Sequence, residues 1–228
     1  MVKKTVLIFI FILTCLISTA AFAEDNAVTT CTNGLTVTTA QWEEETFKAK
    51  YPEVYIPGNP VAGDRINATV KELITEGLKS AELSWKKEGE STYSVDYIIA
   101  CPNIDNLLSF NFSHYVYDGT EKPHFFFSGM TFDTTTGKMM TWRELVKPED
   151  KIWFNTDAIS SILREEEKIG TFYLFTDFKG LDSLPTNYYL DSYGTIHFQW
   201  APGVIAPYKA GVIDISTGRA TKYSTAVG

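Results

Sequence analysis

The chain has 228 residues, of which 44% are hydrophobic, 28 are acidic and 20 are basic, giving a net charge of −8 at pH 7. This length is enough for one large domain or two small ones. The negative charge argues against binding to nucleic acid or to anionic membranes and favours a cationic partner. Solubility alone is the simpler explanation of such a charge.

Residues 1–23 have the features of a secretory signal peptide. Two lysines precede an apolar run from Val6 to Ile17, and small residues end the segment at Ala21-Phe22-Ala23. The run is shorter than the about 20 apolar residues that a membrane span needs. We therefore expect cleavage before Glu24 and export to the periplasm, the medium or the cell surface. A retained N-terminal anchor is the alternative.

Two cysteines, Cys31 and Cys101, remain after the predicted cleavage. In an oxidising compartment such a pair favours one disulfide. Closing the loop between Cys31 and Cys101 would stabilise the fold by about 4 kcal/mol in the chain-entropy model. The sequence contains no CxxC motif and no cysteine–histidine cluster, so we expect no structural zinc site.

The first half, residues 24–120, predicts exposed strands followed by a long helix. Asn59-Pro60 is typical of an N-cap and a first helical turn, with Asp64 as the alternative cap. Apolar residues then recur on one helical face. This predicted stripe comprises Ile66, Val70, Leu73, Ile74, Leu78, Ala81 and Trp85.

A β-hairpin is predicted after the helix. Apolar residues alternate with polar ones over 93–99 and again over 108–114, and Pro102-Asn103-Ile104-Asp105 lies between them. This pattern indicates two antiparallel strands joined by a turn at 102–105.

The second half, residues 121–228, predicts further strands and two helices. Thr141 and Glu144 have capping-box spacing, which favours a short helix. Pro148 is predicted to open a longer helix that ends at Gly170. We therefore predict an α+β fold of antiparallel sheets with two main helices packed on them, divided into two subdomains near residue 120.

The segment Trp200–Ile215, "WAPGVIAPYKAGVIDI", combines a good strand at its end with prolines at its start. Pro202 and Pro207 cannot donate to a strand ladder, so the first half belongs to an edge, a bulge or a loop. We expect a rigid, exposed bend with Tyr208 at least partly accessible to solvent. A fixed backbone would leave this tyrosine little entropy to lose on binding.

The order of these motifs resembles a known family. The stretches that carry the resemblance, between residues 45 and 217, are "YPEV", "INATVKELI", "LLSFNFSHYVYDG", "HFFFSGMTFDTTTGK", "TWRELV" and "WAPGVIAPYKAG". They are similar to the extracytoplasmic module of RsiV-type anti-sigma factors, which is also found at the front of PdaC-type peptidoglycan deacetylases. The resemblance implies a stand-alone, secreted binding module and lysozyme as a possible partner.

No pattern in the sequence favours catalysis. The chain has no G-x-S-x-G elbow, no H-E-x-x-H helix and no phosphate-binding glycine loop. His114, His124 and His197 are far apart in the sequence and are more typical of structural histidines than of metal ligands. We expect no cofactor, no metal and no enzymatic activity.

Residues near turns are the better candidates for contact with a partner, because tyrosine and tryptophan anchor protein interfaces. Packing in the core is the competing explanation for most aromatic residues. The candidate partner-binding residues are Tyr115, Tyr117, Asp118, His124, Trp200, Pro202, Pro207 and Tyr208. The leading hypothesis is a secreted module that binds lysozyme or a similar cationic protein. The alternative is a module that binds peptidoglycan or another envelope glycan.

Overall fold

The computed structural model describes residues 28–88, 92–117, 119 and 123–223. The predicted signal peptide lies outside these ranges. The strands are β1 (Val28–Thr30), β2 (Thr36–Glu44), β3 (Phe47–Tyr55), β4 (Thr92–Ile104), β5 (Leu107–Tyr117), β6 (His124–Asp133), β7 (Lys138–Met139), β8 (Tyr188–Leu190), β9 (Thr195–Trp200) and β10 (Ile213–Ala220). The α-helices are α1 (Pro60–Glu88), α2 (Trp142–Leu145) and α3 (Thr156–Lys168). Short 3-10 turns cover Thr32–Gly34, Pro148–Trp153 and Tyr208–Ala210.

The strands form two sheets. The large sheet has seven strands in the order β1-β2-β3-β4-β5-β6-β7, and the small sheet has three in the order β10-β9-β8. Neighbouring strands are antiparallel except β3 and β4, which are parallel because α1 connects them. The predicted α+β class with antiparallel sheets is confirmed, and the parallel pair makes the large sheet a mixed one.

The parallel pair is short, and this shapes one face of the large sheet. β3 and β4 pair only from Phe47–Tyr93 to Ala49–Val95. β3 continues to Tyr55 and β4 continues to Ile104 without pairing further with each other. The two strands therefore separate and leave an opening in the sheet.

The first hydrophobic core lies between α1 and one face of the large sheet, called here the inner face. Ile66, Val70 and Ile74 of the predicted stripe are fully buried there, against Phe110 and Phe112 of β5. Each such side chain stabilises the fold by about 1.5–3 kcal/mol through burial. The side chains of Ala81 and Trp85, from the same stripe, lie outside the described part.

The start of α1 lies where the sequence predicts it, whereas the turn of the β4–β5 hairpin lies later than predicted. α1 begins at Pro60, and the Ala62 N–H donates to Asn59 Oδ1 over 3.4 Å, so Asn59 is the cap. The hairpin turn lies at Asp105-Asn106, later than predicted, with φ of 52° and 64°. Positive φ at both residues is the geometry of a tight two-residue hairpin turn, which asparagine and aspartate tolerate.

The predicted capping box is present, but the predicted long helix is interrupted. Thr141 and Glu144 exchange hydrogen bonds, including Thr141 N–H to Glu144 Oε2 over 2.8 Å. Pro148 opens only a 3-10 turn, and α3 starts separately at Thr156. The reason is Asn155, whose extended backbone breaks the helix and whose Oδ1 accepts the Ala158 N–H over 2.9 Å.

The second hydrophobic core joins the small sheet, α2 and α3 to one end of the large sheet. Leu190 N–H donates to Ser109 Oγ of β5 over 3.0 Å. Asn187 bridges the sheets as well, because its Oδ1 accepts Gly129 N–H (2.8 Å) and its Nδ2 donates to Phe127 O (2.9 Å). The predicted subdomain boundary near residue 120 falls inside the large sheet, since β5 and β6 pair across it.

Candidate functional site

Residues 201–210, called here the rim, form a bend between β9 and β10. The bend has no strand pairing, as its two prolines predict, and closes on itself through Val204 N–H to Ala201 O (3.3 Å). Ile205 and Ala206 are buried in the second core and anchor it. Val204 and Tyr208 point outward, with 58% and 43% of their surfaces exposed.

Tyr208 is held at both ends of its side chain. Its hydroxyl donates to the carbonyl oxygen of Pro123 over 2.9 Å, and its ring packs edge-to-face on His124, with centroids 6.2 Å apart. A backbone carbonyl and an aromatic edge fix both the position and the plane of the ring. The predicted exposure of Tyr208 is confirmed, and the structure brings His124 and Tyr208 together.

The other predicted contact residues do not all join this site. Tyr115 is exposed on the face of the large sheet that points away from α1, and Tyr117 is half-buried at the end of β5. Asp118 lies outside the described residues. Pro202 and Pro207 are half-buried and set the course of the rim.

Trp200, another residue of the predicted set, is buried. Only 6% of its surface is exposed, and its ring lies 6.2 Å from that of Phe198 inside the second core. β9 carries Ile196, Phe198 and Trp200 on one face, and this face packs against α2 and α3. Trp200 also lines a cleft beside the rim. Trp200 is therefore a core residue.

A cleft of about 800 Å³ lies beside the rim, between the loop 175–187 and the rim residues Ala201, Val204 and Ile205. Two exposed carboxylates, Asp177 and Asp182, line it. Sequence reasoning missed this cleft, because the loop carries no motif and lies near the rim only in the folded chain.

A second concave surface lies on the face of the large sheet that points away from α1, called here the outer face. It begins where β3 and β4 separate. It is called here the sheet groove, and it includes adjoining parts of about 320 Å³, 500 Å³ and 210 Å³. Tyr115 and Phe125 line the first of these parts, and Asn111 and Phe127 line the last. The sequence indicates this surface through the run "HFFF". Side chains alternate between the two faces of a strand, so Phe125 and Phe127 lie on the face opposite Phe126.

The three histidines do not meet. His124 contacts Tyr208, His114 is buried on the inner face of the large sheet, and His197 lies in the small sheet. Across the described ranges, no group of three or more histidine, cysteine, aspartate or glutamate residues has the arrangement of a metal site.

His114 is enclosed by two hydroxyl groups. Its Nδ1 shares a hydrogen bond of 2.9 Å with the Tyr93 hydroxyl, and its Nε2 shares one of 2.7 Å with Ser128 Oγ. Burial lowers the pKa of His114 to about 4, because the charged imidazolium would lose its hydration. The ring is therefore neutral at pH 7 and bridges β4 to β6.

His197 has the opposite environment. Burial opposes its charged form, but hydrogen bonds and charges of Asp214 and Asp191 outweigh burial and raise the pKa of His197. The distances are 3.0 Å from Nδ1 to Asp214 Oδ1 and 3.3 Å from Nε2 to Asp191 Oδ2. The pair of carboxylates ties β9 to β10 and to the turn after β8.

The predicted disulfide is absent from the structure, where Cys31 and Cys101 are both free, buried thiols. The sulfur of Cys101 instead donates to the carbonyl oxygen of Leu107 over 3.4 Å. The N-terminal segment is joined to β4 by Asn103, whose Nδ2 donates to Thr32 O over 2.8 Å.

Comparison with known structures identifies the class of fold. A DUF3298 family protein from Bacteroides fragilis NCTC 9343 is 14% identical, with a TM-score of 0.57, over 82% of this chain and 91% of that chain. A DUF3298 family protein from Pseudomonas aeruginosa PAO1 is 13% identical, with a TM-score of 0.52, over 80% of this chain and 89% of that chain. The protein thus has the fold of these two DUF3298 family proteins.

Sequence comparison adds nothing further, since no family model and no curated protein matches the chain. Among the helices of the described part, none combines the length and the apolar character that a membrane crossing needs.

Proposed function

We propose that this protein is an exported, non-enzymatic module that binds a basic protein, such as a lysozyme, through the rim. The observation that carries the proposal is Tyr208, an exposed aromatic side chain whose hydroxyl and ring are already fixed by Pro123 and His124. Tyrosine is enriched among the residues that dominate interface energies.

The rim is suited to binding because little of it has to become ordered. Pro202 and Pro207 restrict the backbone, and Ile205 and Ala206 are anchored in the core. Ordering a free side chain at an interface costs about 0.5–1.5 kcal/mol, and this cost is reduced where the side chain is held beforehand. Exposed Val204 provides an apolar contact next to the tyrosine.

The charge of the chain supports a basic partner. The net charge is −8 at pH 7, so a cationic protein is attracted before contact. Attraction between separated charges is screened over about 8 Å at physiological salt. Binding that depends on it must weaken as salt is added.

The direct test is calorimetric titration of the full chain with an animal-type lysozyme at low and moderate salt. We expect a saturable complex at low salt and a lower affinity, mainly through slower association, at moderate salt. An uncharged or acidic protein of similar size is the control and should not bind. Absence of a complex at both salt concentrations would exclude lysozyme as the partner.

Glycan binding is the second candidate function, and a different surface favours it. The sheet groove exposes 39% of Tyr115 and 42% of Phe125 side by side, in a concave surface that also carries polar groups. Small-molecule sites combine apolar walls with a few polar groups that fix orientation. Retention of the protein on purified cell walls without added protein would support this function.

A further inference from the structure

β6 has one edge that pairs with β5 and one edge that faces away from it, called here the free edge. Asn187 Oδ1 accepts the Gly129 N–H over 2.8 Å, and Asn187 Nδ2 donates to Phe127 O over 2.9 Å. Farther along, Thr131 O accepts the Met140 N–H over 2.8 Å. The odd-numbered residues of β6 therefore direct their backbone groups to the free edge, as alternation in an antiparallel pair requires.

Phe125 belongs to the same series of outward-pointing residues. It lies opposite Tyr115 in the register, two residues before Phe127, so its N–H and its carbonyl oxygen point to the free edge. The N–H of Phe127 points there as well. None of these three backbone groups has a hydrogen-bond partner among the described residues. The free edge therefore has a stretch of unpaired backbone groups at 125–127, called here the edge gap.

Two side chains bound the edge gap. The Tyr208 hydroxyl donates to Pro123 O at one end, and the Asn187 amide occupies the free edge at the other. A strand covers about 13 Å from residue 123 to residue 127, at about 3.3 Å per residue. A single extended segment fits this length, whereas the sheet of a second copy would meet the rim and the loop that carries Asn187.

The edge gap is open to solvent. His124 and Phe125 point to opposite faces of the sheet, and both side chains are exposed, Phe125 to 42%. The backbone between them can therefore be approached from either side. Native proteins usually cover or block an unpaired strand edge, and Asn187 and β7 cover the rest of this one. The edge gap is thus a place where another chain can add a strand.

We propose that the edge gap binds an extended segment of the basic partner by strand addition. This inference rests on the proposed function, because the segment enters beside Tyr208 and contacts the same rim. A segment N–H donates to the Phe125 carbonyl oxygen, and two segment carbonyls accept the N–H groups of Phe125 and Phe127. The side chain opposite Phe125 lies on the outer face beside its ring, which favours an apolar residue there.

The charge near the edge gap agrees with a basic segment. Asn187 and part of the rim also line the cleft of about 800 Å³, so the cleft begins where the edge gap ends. Two carboxylates, Asp177 and Asp182, and one lysine, Lys179, line the cleft, and the whole chain carries −8 at pH 7. A lysine or arginine that follows the added strand therefore meets an excess of negative charge.

Hydrogen exchange of the backbone amides tests the proposal on the unmodified protein. The isotope-labelled full chain is followed by nuclear magnetic resonance at low salt, alone and with saturating animal-type lysozyme. We expect the Phe125 and Phe127 amides to exchange freely in the protein alone and at least about tenfold more slowly in the complex. The Phe126 amide, which pairs with β5, is the internal control and should be slow in both states.

Two substitutions at one position separate the backbone from the side chain. Phe125→Pro removes the N–H at the free edge but no hydrogen bond between β5 and β6, so the fold should tolerate it. It should weaken lysozyme binding in calorimetry about tenfold, through the lost hydrogen bond and the bulk of the proline ring in the edge gap. Phe125→Ala keeps the N–H and is the matched control, with a smaller change of about threefold or less.

The outcomes separate the inference from the function on which it rests. A lysozyme complex in which the Phe125 and Phe127 amides exchange as fast as in the free protein would overturn strand addition and leave the proposed function intact. Equal affinity of Phe125→Pro and Phe125→Ala would do the same, once thermal melts establish that both variants fold. If Phe125→Pro does not fold, the exchange measurement decides.

Two further outcomes would also overturn the inference. Absence of any complex would remove both strand addition and the function on which it rests. Slow exchange at Phe125 in the protein alone, appearing as its concentration is raised, would show that a second copy occupies the edge gap.

Discussion

The hydroxyl of Tyr208 donates a hydrogen bond of 2.9 Å to the carbonyl oxygen of Pro123, which lies 85 positions earlier in the chain. This contact joins the rim to the start of β6. The rim is therefore attached to both sheets, because Ile205 and Ala206 are buried in the core beneath the small sheet. The exposed tyrosine is part of a rigid corner of the molecule.

Replacing Tyr208 by alanine should weaken binding of the basic partner more than it weakens the fold. An anchoring tyrosine contributes about 2 kcal/mol or more to an interface, which is roughly a thirtyfold change in affinity. The cost to folding should be smaller, about 1 kcal/mol, since the ring is 43% exposed and loses one hydrogen bond.

Calorimetry and thermal melts on the same protein measure both effects. Tyr193→Ala is the control, because Tyr193 is also a surface tyrosine, 73% exposed, on the turn between β8 and β9. A large fall in melting temperature for Tyr208→Ala with little change in affinity would assign the rim a structural role.

Buried His114 should make the protein less stable in mild acid. Its pKa is 6.5 in the unfolded chain and about 4 in the folded protein, so between these values only the unfolded state binds the proton. The stability is complete above about pH 6.5 and falls by about 3 kcal/mol as the pH drops to 4. His197 has the opposite effect on stability. Its raised pKa means that the folded protein binds the proton more readily than the unfolded chain, so protonation of His197 stabilises the fold.

Denaturant unfolding at several pH values, with and without His114→Gln, isolates this contribution. The variant should be less stable at pH 7 but should lose less stability between pH 6.5 and 4 than the unmodified protein. His124→Gln, a histidine replaced at an exposed position, is the control variant. Parallel curves for His114→Gln and the unmodified protein would contradict the assignment.

Replacing Gly129 by alanine should disrupt the contact between the two sheets. A Cβ at this position would lie 1.8 Å from the carbonyl oxygen of Tyr188, and neither backbone can move without breaking its strand pairing. We expect a loss of about 3 kcal/mol or more.

Chemical denaturation measures the loss, and Gly170→Ala is the comparison. Gly170 has φ of 83° but open space around it, so its replacement costs only backbone strain of about 1 kcal/mol. If both variants lost similar stability, the close approach of Gly129 to Tyr188 would not be a determinant of the fold.

Cys31 and Cys101 should resist alkylation in the native protein. They are 7% and 0% exposed, and burial raises the pKa of the Cys101 thiol to about 11, so little reactive thiolate forms at pH 8. Both should react rapidly once the chain is unfolded.

Mass spectrometry of labelled peptides, with and without denaturant, checks this expectation. The control is a sample treated with reductant before labelling, which should give the same pattern. A cysteine pair that can be labelled only after reduction would show a crosslink between them, against the free thiols of the structure.

The sequence by itself determined the elements whose signal is local. The stripe Ile66–Val70–Ile74 predicted α1 because three- and four-residue spacing places these side chains on one helical face. Thr141 and Glu144 predicted α2, because a capping box needs only four consecutive residues. Pro202 and Pro207 predicted a bend without strand pairing, because proline lacks the N–H that a ladder requires.

The tertiary structure alone decided which of these elements meet. Trp200 and Tyr208 carry the same kind of local signal, but one is buried and the other exposed, because only one of them faces α2 and α3. The sheet groove exists because β3 and β4 separate after three residue pairs, and no local pattern encodes where two strands part. Residue spacing therefore predicts single helices, strands and bends. Contacts between residues far apart in sequence depend on the packing of the whole chain, so only the folded structure shows which of these elements are neighbours.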